Sequence, residues 1–261
     1  MSTTTTHTYR VTPARVLRSE WHKLWTVRST WITVLTSVAF LLGVGILMGT
    51  TYTADGGDSD VDTVVLTLYG SQLGGICLAV LGILVTAGEY STGLIRASMT
   101  AVPRRTPVLW AKATVFTAAV FTISLVAALV TFLTAQIFLS DTDQAASLAD
   151  DGVLAAIAGN AAGVTLLNLI ALGLGAALRS VPGGIGAFIG GVMILPEVLG
   201  MLPYDAVETA ITYFPTQAAG ALGSADPMPN AASPSSALLA LCLWAAASLI
   251  VPALLLKRRD V

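Results

Sequence analysis

The sequence predicts an all-α chain that threads a membrane six times, and three observations carry the prediction. Of its 261 residues, 55% are hydrophobic and only 11% are charged, against roughly 25% charged in a soluble domain. The apolar residues gather in six runs, each near the ~20 residues a helix needs to cross a ~30 Å hydrocarbon core. The charges are also sorted, with every Lys and Arg confined to alternate connecting segments. A chain so poor in charge is not built to stay dissolved as a cytosolic enzyme. Its apolar content excludes disorder, and its net charge of -2 excludes a free nucleic-acid binder. A transmembrane barrel would alternate over ~10-residue strands, unlike these continuous runs.

Taken in order, residues 1–12 read as a Thr-rich disordered tail, and 13–261 as a single six-span domain. Between Pro13 and Thr30, Val16 or Leu17, Trp21, Leu24 and Trp25 recur at helical spacing, flanked by Arg15, Arg18, Lys23 and Arg28. That pattern predicts an amphipathic helix on the membrane surface with its tryptophans at headgroup level. It serves either as an anchor for the first span or as a surface that also contacts a partner. The spans are predicted at 31–51, 64–87, 113–139, 153–178, 183–202 and 236–256. No short apolar core with a small-residue cleavage site precedes the first, so no secretory signal is expected. The stretch 203–235 is long for a connector. Its apolar first half predicts an interfacial or re-entrant helix, since backbone at membrane depth must satisfy its own hydrogen bonds. Its second half, rich in Pro, Ser and Gly, predicts a flexible link.

Basic segments resist translocation and mark the cytoplasmic side. The thirteen Lys and Arg comprise Arg10, Arg15, Arg18, Lys23 and Arg28 before the first span, and Arg96, Arg104, Arg105 and Lys112 between the second and third. Arg179 follows the fourth, and Lys257, Arg258 and Arg259 follow the last. The three other loops hold none, and carry most of the acids, including Asp55, Asp62, Asp143, Asp150 and Glu208. Both termini are therefore expected in the cytoplasm.

The segment from Gly88 to Lys112 is longer than a connector needs. It mixes Glu89, Tyr90 and Arg96 with Leu94, Ile95 and Met99, then Pro103, Arg104, Arg105 and Pro107. It predicts a short surface helix that displays charge to the cytosol and docks a soluble partner, beyond the plain topological role of its bases. The run Ser19-Glu20-Trp21-His22-Lys23-Leu24-Trp25-Thr26-Val27-Arg28-Ser29-Thr30-Trp31 resembles the N-terminus of actinobacterial-type ABC transporter permeases. Gly88-Glu89-Tyr90-Ser91-Thr92-Gly93-Leu94-Ile95-Arg96, with Pro103, Arg104, Arg105 and Lys112, resembles the first cytoplasmic loop of the type-2 ABC exporter superfamily. Tyr213-Phe214-Pro215-Thr216-Gln217-Ala218-Ala219-Gly220 is similar to a segment before the last span of those permeases. The resemblance runs from about Ala14 to Arg259. It implies a dimer of six-span subunits, a homodimer or a heterodimer, whose amphipathic helix and first cytoplasmic loop contact separate ATP-hydrolysing subunits. It also implies Glu89, Tyr90, Gly93, Arg96, Arg104 and Arg105 as docking residues.

The residues agree with such a division of labour. A phosphate-cradling loop needs Gly-x-x-x-x-Gly-Lys-Ser/Thr, and none of Lys23, Lys112 and Lys257 stands in that context. ATP and Mg are thus expected in a partner ATPase, with no cofactor in this chain. His7 and His22 cannot form a zinc pair, no span holds a His or Lys base beside a nucleophile, and Cys77 and Cys242 read as packing residues. Glu197 is the one charge within a predicted span, about 8 Å from its outer end. Its role is interfacial, or linked to an ion or substrate. Asn160, Asn168 and Gln136 are polar groups within spans, suited to interhelical hydrogen bonds or to a substrate pathway. Gly70 and Gly74, Gly159 and Gly163, and Gly186 and Gly190 form small-residue pairs that permit close helix packing or dimerisation. The expected function is the permease subunit of an ATP-driven exporter in the cell membrane, moving a hydrophobic or amphipathic substrate. The alternative is a non-transporting scaffold or sensor that binds a cytoplasmic regulator.

Overall fold

An apolar run in lipid has one way to satisfy its backbone within itself, which is to form a helix. A computed structural model describes residues 12–52, 61–91, 93, 106–226 and 230–258, and among them every regular element is helical. Six helices are long and apolar enough to cross a membrane. The chain is thus a multi-pass, all-α membrane protein. Of the predicted tail at 1–12, residues 1–11 lie outside the described residues, as do most of the residues linking the second and third crossings.

Helix α1 (Pro13–Thr26) is the predicted amphipathic element, and α2 (Arg28–Thr51) is the first crossing. Extended backbone at Val27 separates them, four residues earlier than the pattern predicts. The corner is packed by rings: Trp25 lies 5.6 Å from Trp21 and 5.1 Å from Trp31, and Trp31 Nε1 donates to the Trp25 carbonyl at 3.0 Å. Trp21 and Trp31 stay exposed, as expected of amphipathic rings at a membrane interface.

The predicted second span is divided. A short α3 (Thr63–Thr67), capped by Asp62, precedes a turn and the crossing helix α4 (Ser71–Ser91). Gly70 and Gly74 let this region pack tightly on α2: a Cβ at either would press on the Phe40 or Ser37 carbonyl. The third crossing, α5 (Thr106–Leu139), starts seven residues before the predicted boundary and takes Lys112 into the helix.

Helix α6 (Val153–Leu178) is the most buried of the six crossings and lies at the centre, against α4, α5 and the last helix. Glycines let it approach its neighbours closely. A Cβ at Gly159 would strike the Leu222 carbonyl, and one at Gly173 the Ser248 carbonyl. The fifth crossing is interrupted: α7 (Val181–Ala187), a π-helical stretch (Phe188–Ile194), then α8 (Leu195–Gly200). Pro196 supplies the physical reason, because it has no N–H to give the Val192 carbonyl four residues back. The Thr216 hydroxyl donates to that carbonyl instead, at 3.4 Å. Gly186 and Gly190, unlike the other two predicted pairs, would place a Cβ in open space.

Two short helices, α9 (Asp205–Thr212) and α10 (Pro215–Leu222), fill the predicted interfacial or re-entrant stretch. α9 buries no residue, whereas α10 packs Ala218, Ala221 and Leu222 against α6 and the final crossing, α11 (Pro234–Arg258).

Candidate functional site

Two regions gather the residues singled out in the sequence. The first is the end of the bundle where α1 meets the roots of the 92–105 segment. Glu20 lies between Val16 and Leu24 on the buried stripe of α1, at four-residue spacing. That stripe packs on the start of α5 through Val16 with Val108 and Ala111, and Leu24 with Val115 and Ala119. It carries Glu20 to Lys112, while the last turn of α4 brings Glu89 to the same ammonium. Lys112 Nζ donates to Glu20 Oε2 at 2.6 Å and to Glu89 Oε1 at 2.7 Å. Lys23 Nζ donates to Glu20 Oε1 at 2.8 Å and to Glu89 Oε1 at 3.3 Å.

The four side chains close a ring of alternating charge. Three are buried: the side chains of Glu20, Lys112 and Glu89 are 5%, 6% and 10% exposed, against 41% for Lys23. Burying ions costs several kcal/mol each unless partners and geometry offset it. Here each carboxylate meets two ammonium groups, although Glu89 Oε2 has no hydrogen-bond partner among the described residues. Burial works against the charged form of Lys23 and is the largest single influence on it. The hydrogen bonds and charges of Glu20 and Glu89 together outweigh it and hold the ammonium above its ordinary 10.5.

Beside the ring, the Arg179 guanidinium stands 5.1 Å over the Tyr90 ring, a cation–π contact. Arg179 closes α6 in a left-handed conformation, φ 55°. Gly93, φ 74°, is exposed where α4 has ended. Of the predicted docking residues, then, Glu89 and Tyr90 stand at the bundle's basic end. Glu89 turns inward rather than displaying its charge, because Lys112 and Lys23 draw it into the seam. Arg96, Arg104 and Arg105 lie outside the described residues. Sequence reasoning missed Glu20 and Lys112 as partners of Glu89. The available signal was two glutamates set among bases on the basic side of a chain whose other acids lie mostly elsewhere.

The second region is a cavity of about 430 Å³ between α4, α6, α10 and the π-helical crossing. Asn160, Asn168 and Glu197, three of the four predicted pathway candidates, all line it, with Tyr69, Gln72 and Gln217. Asn160 Nδ2 donates to Ser71 Oγ of α4 at 3.1 Å, an interhelical bond of the expected kind. Asn168 does otherwise: its Nδ2 donates to Val164 O of its own helix at 2.7 Å, leaving buried Oδ1 without a partner. Glu197 sits in the first turn of α8 and accepts from Gln217 Nε2 at 3.0 Å. Gln136 lies apart, bracing the 139–146 turn by accepting from Ala146 N at 2.9 Å.

Fold and site together define an all-helical multi-pass membrane protein with a largely buried charge ring at one end and a mainly apolar cavity that carries a few polar groups. Compared with known proteins, the chain is matched by no protein-family model and by no curated protein.

Proposed function

We propose that this chain is the permease subunit of an ATP-driven exporter of the type-2 ABC kind, working in the cell membrane with both termini in the cytoplasm. The observation that carries this reading is the buried ring of Glu20, Lys112, Glu89 and Lys23. It clamps α1 to the end of α4 and the start of α5, the two helices from which the 92–105 segment springs. A partner pressing on that segment or on α1 therefore moves α4 as one piece with both, and α4 forms a wall of the cavity. ATP and Mg act in the partner ATPase, and a second permease copy or homologue completes the transporter. ATP binding shifts the equilibrium only if the partner prefers one conformation of this seam over another.

The test is affinity purification in mild detergent with mass spectrometry of what copurifies. The expected result is an ATPase carrying its own phosphate-binding loop, lost from the complex when Arg96 or Arg104 is reversed to Glu. Recovery of a non-ATPase regulator in its place would assign the chain to the scaffold or sensor class.

A further inference from the structure

We infer that the cavity between α4, α6, α10 and the π-helical crossing binds an amphipathic cation, an amine with an apolar body and at least one N–H donor. The identification of this ligand as cargo rests on the permease reading, whereas the ligand class rests on the cavity alone. A volume of about 430 Å³ falls within the range of small-molecule sites, whose walls are mainly apolar with a few placed polar groups. Leu68, Ile76, Leu167, Phe188 and Met193 supply the apolar wall.

The polar groups set the charge. Glu197 is the only acid among the described lining residues, and no Lys, Arg or His accompanies it. Its Oε1 is held by Gln217, and Oε2 receives no bond from the described residues. A carboxylate so oriented, without a countercharge, attracts a cation and repels an anion. Asn168 is buried behind the same wall, its Oδ1 out of a ligand's reach. Its Nδ2 is committed to the Val164 carbonyl, and reversing the amide would set two carbonyl oxygens against each other. The orientation is therefore fixed, with Oδ1 the unsatisfied atom. The Glu197 carboxylate therefore calls for a donor. A neutral hydrocarbon offers the carboxylate no donor in place of the water it displaces. The π-helical stretch places Glu197 here, since Pro196 releases the regular helix one turn before it.

The experiment uses the full chain in lipid nanodiscs and three matched fluorescent probes: a dansyl-alkylamine, its neutral N-acetyl form and the corresponding carboxylate. Empty nanodiscs are subtracted. The amine is expected to bind about tenfold tighter than the neutral form, a factor suited to one partly solvated charge contact, and the carboxylate not to bind. Glu197→Gln keeps the shape and the Gln217 bond, and should remove the amine's advantage while leaving the neutral probe unchanged. Gly75 lines the cavity, and a Cβ there meets nothing within 4 Å. Gly75→Leu should therefore fill the space and abolish binding of amine and neutral probe alike. Equal binding of the carboxylate and the amine overturns the proposal, as does an amine advantage that survives Glu197→Gln. If either variant fails to fold, the three-probe comparison on the unmodified chain still decides the charge class. No ATPase is needed, so loss of cation binding refutes this site without touching the permease reading, and absence of a copurifying ATPase does the reverse.

Discussion

At one end of the bundle, two glutamates and two lysines from α1, α4 and α5 share a ring in which three of the four are buried. At the other end, one carboxylate does comparable work alone. Asp62 Oδ1 accepts from the Val64 and Val65 amides at 2.8 and 3.0 Å, capping α3. Its Oδ2 accepts from the Ala225 and Asp226 amides, both at 2.7 Å, and from Ser224 Oγ at 3.1 Å. It thereby ties the start of α3 to the segment that follows α10. The difference is in the donors. Backbone amides are neutral and fixed, and the one at Asp226 is exposed, so losing the acceptor strands no ion. The ring's partners are ions inside the protein, and removing one strands the rest.

The sharpest way to break the comparison is Lys112→Met. It leaves Glu20 and Glu89 with only the half-exposed Lys23, and breaking a buried ion pair on one side costs about 3–5 kcal/mol. A large drop in thermal midpoint in detergent is expected. Adding Glu89→Gln should recover part of it, because the double variant buries one charge fewer. A midpoint within a degree of the parent's would show that water already screens the ring.

Asp62→Ala should cost less, about 2 kcal/mol, as for a strong helix cap that also holds a second segment. Hydrogen exchange should localise the effect, with faster exchange at Val64, Val65, Ala225 and Asp226 and little change at α1. Asp62→Asn keeps one acceptor oxygen and should fall between the two. If Asp62→Ala loosened the charge ring as well, the two ends would be one cooperative unit rather than separate ties.

The contrast also explains what could be read in advance. The six crossings were legible because span hydropathy is local and binary: a run of apolar residues in lipid has no alternative to a helix. The amphipathic α1 was legible for the same reason, through the spacing of Val16, Leu24 and Trp25. The ring was not, because Lys112 contacts partners 92 and 23 residues away, and no local period records such a meeting. Lys112 looked like one more topological base, and Glu89 looked outward. The π-helical stretch was hidden too, although Pro196 announced that something else must donate to the Val192 carbonyl. Asn160, Asn168 and Glu197 each stood out as a polar group in an apolar run. Their convergence on one cavity depends on how closely Gly159 and Gly163 let α10 approach α6.

The smallest effect belongs to Lys23, and it probes whether exposure or charge sets the strength of the basic seam. Its side chain is 41% exposed, so Lys23→Gln should cost under about 1 kcal/mol, as for a solvated ion pair. Its pH dependence has a definite sign. The folded value lies above 10.5, so the ammonium's contribution is complete below 10.5 and disappears as the pH climbs through that higher folded value. The parent should therefore exceed Lys23→Gln by a small, constant amount near neutrality and lose that advantage on the alkaline side of 10.5. A difference near neutrality as large as that from Lys112→Met would place Lys23 among the buried members of the ring. The contrast with Asp62 would then rest on the number of ions and not on their burial.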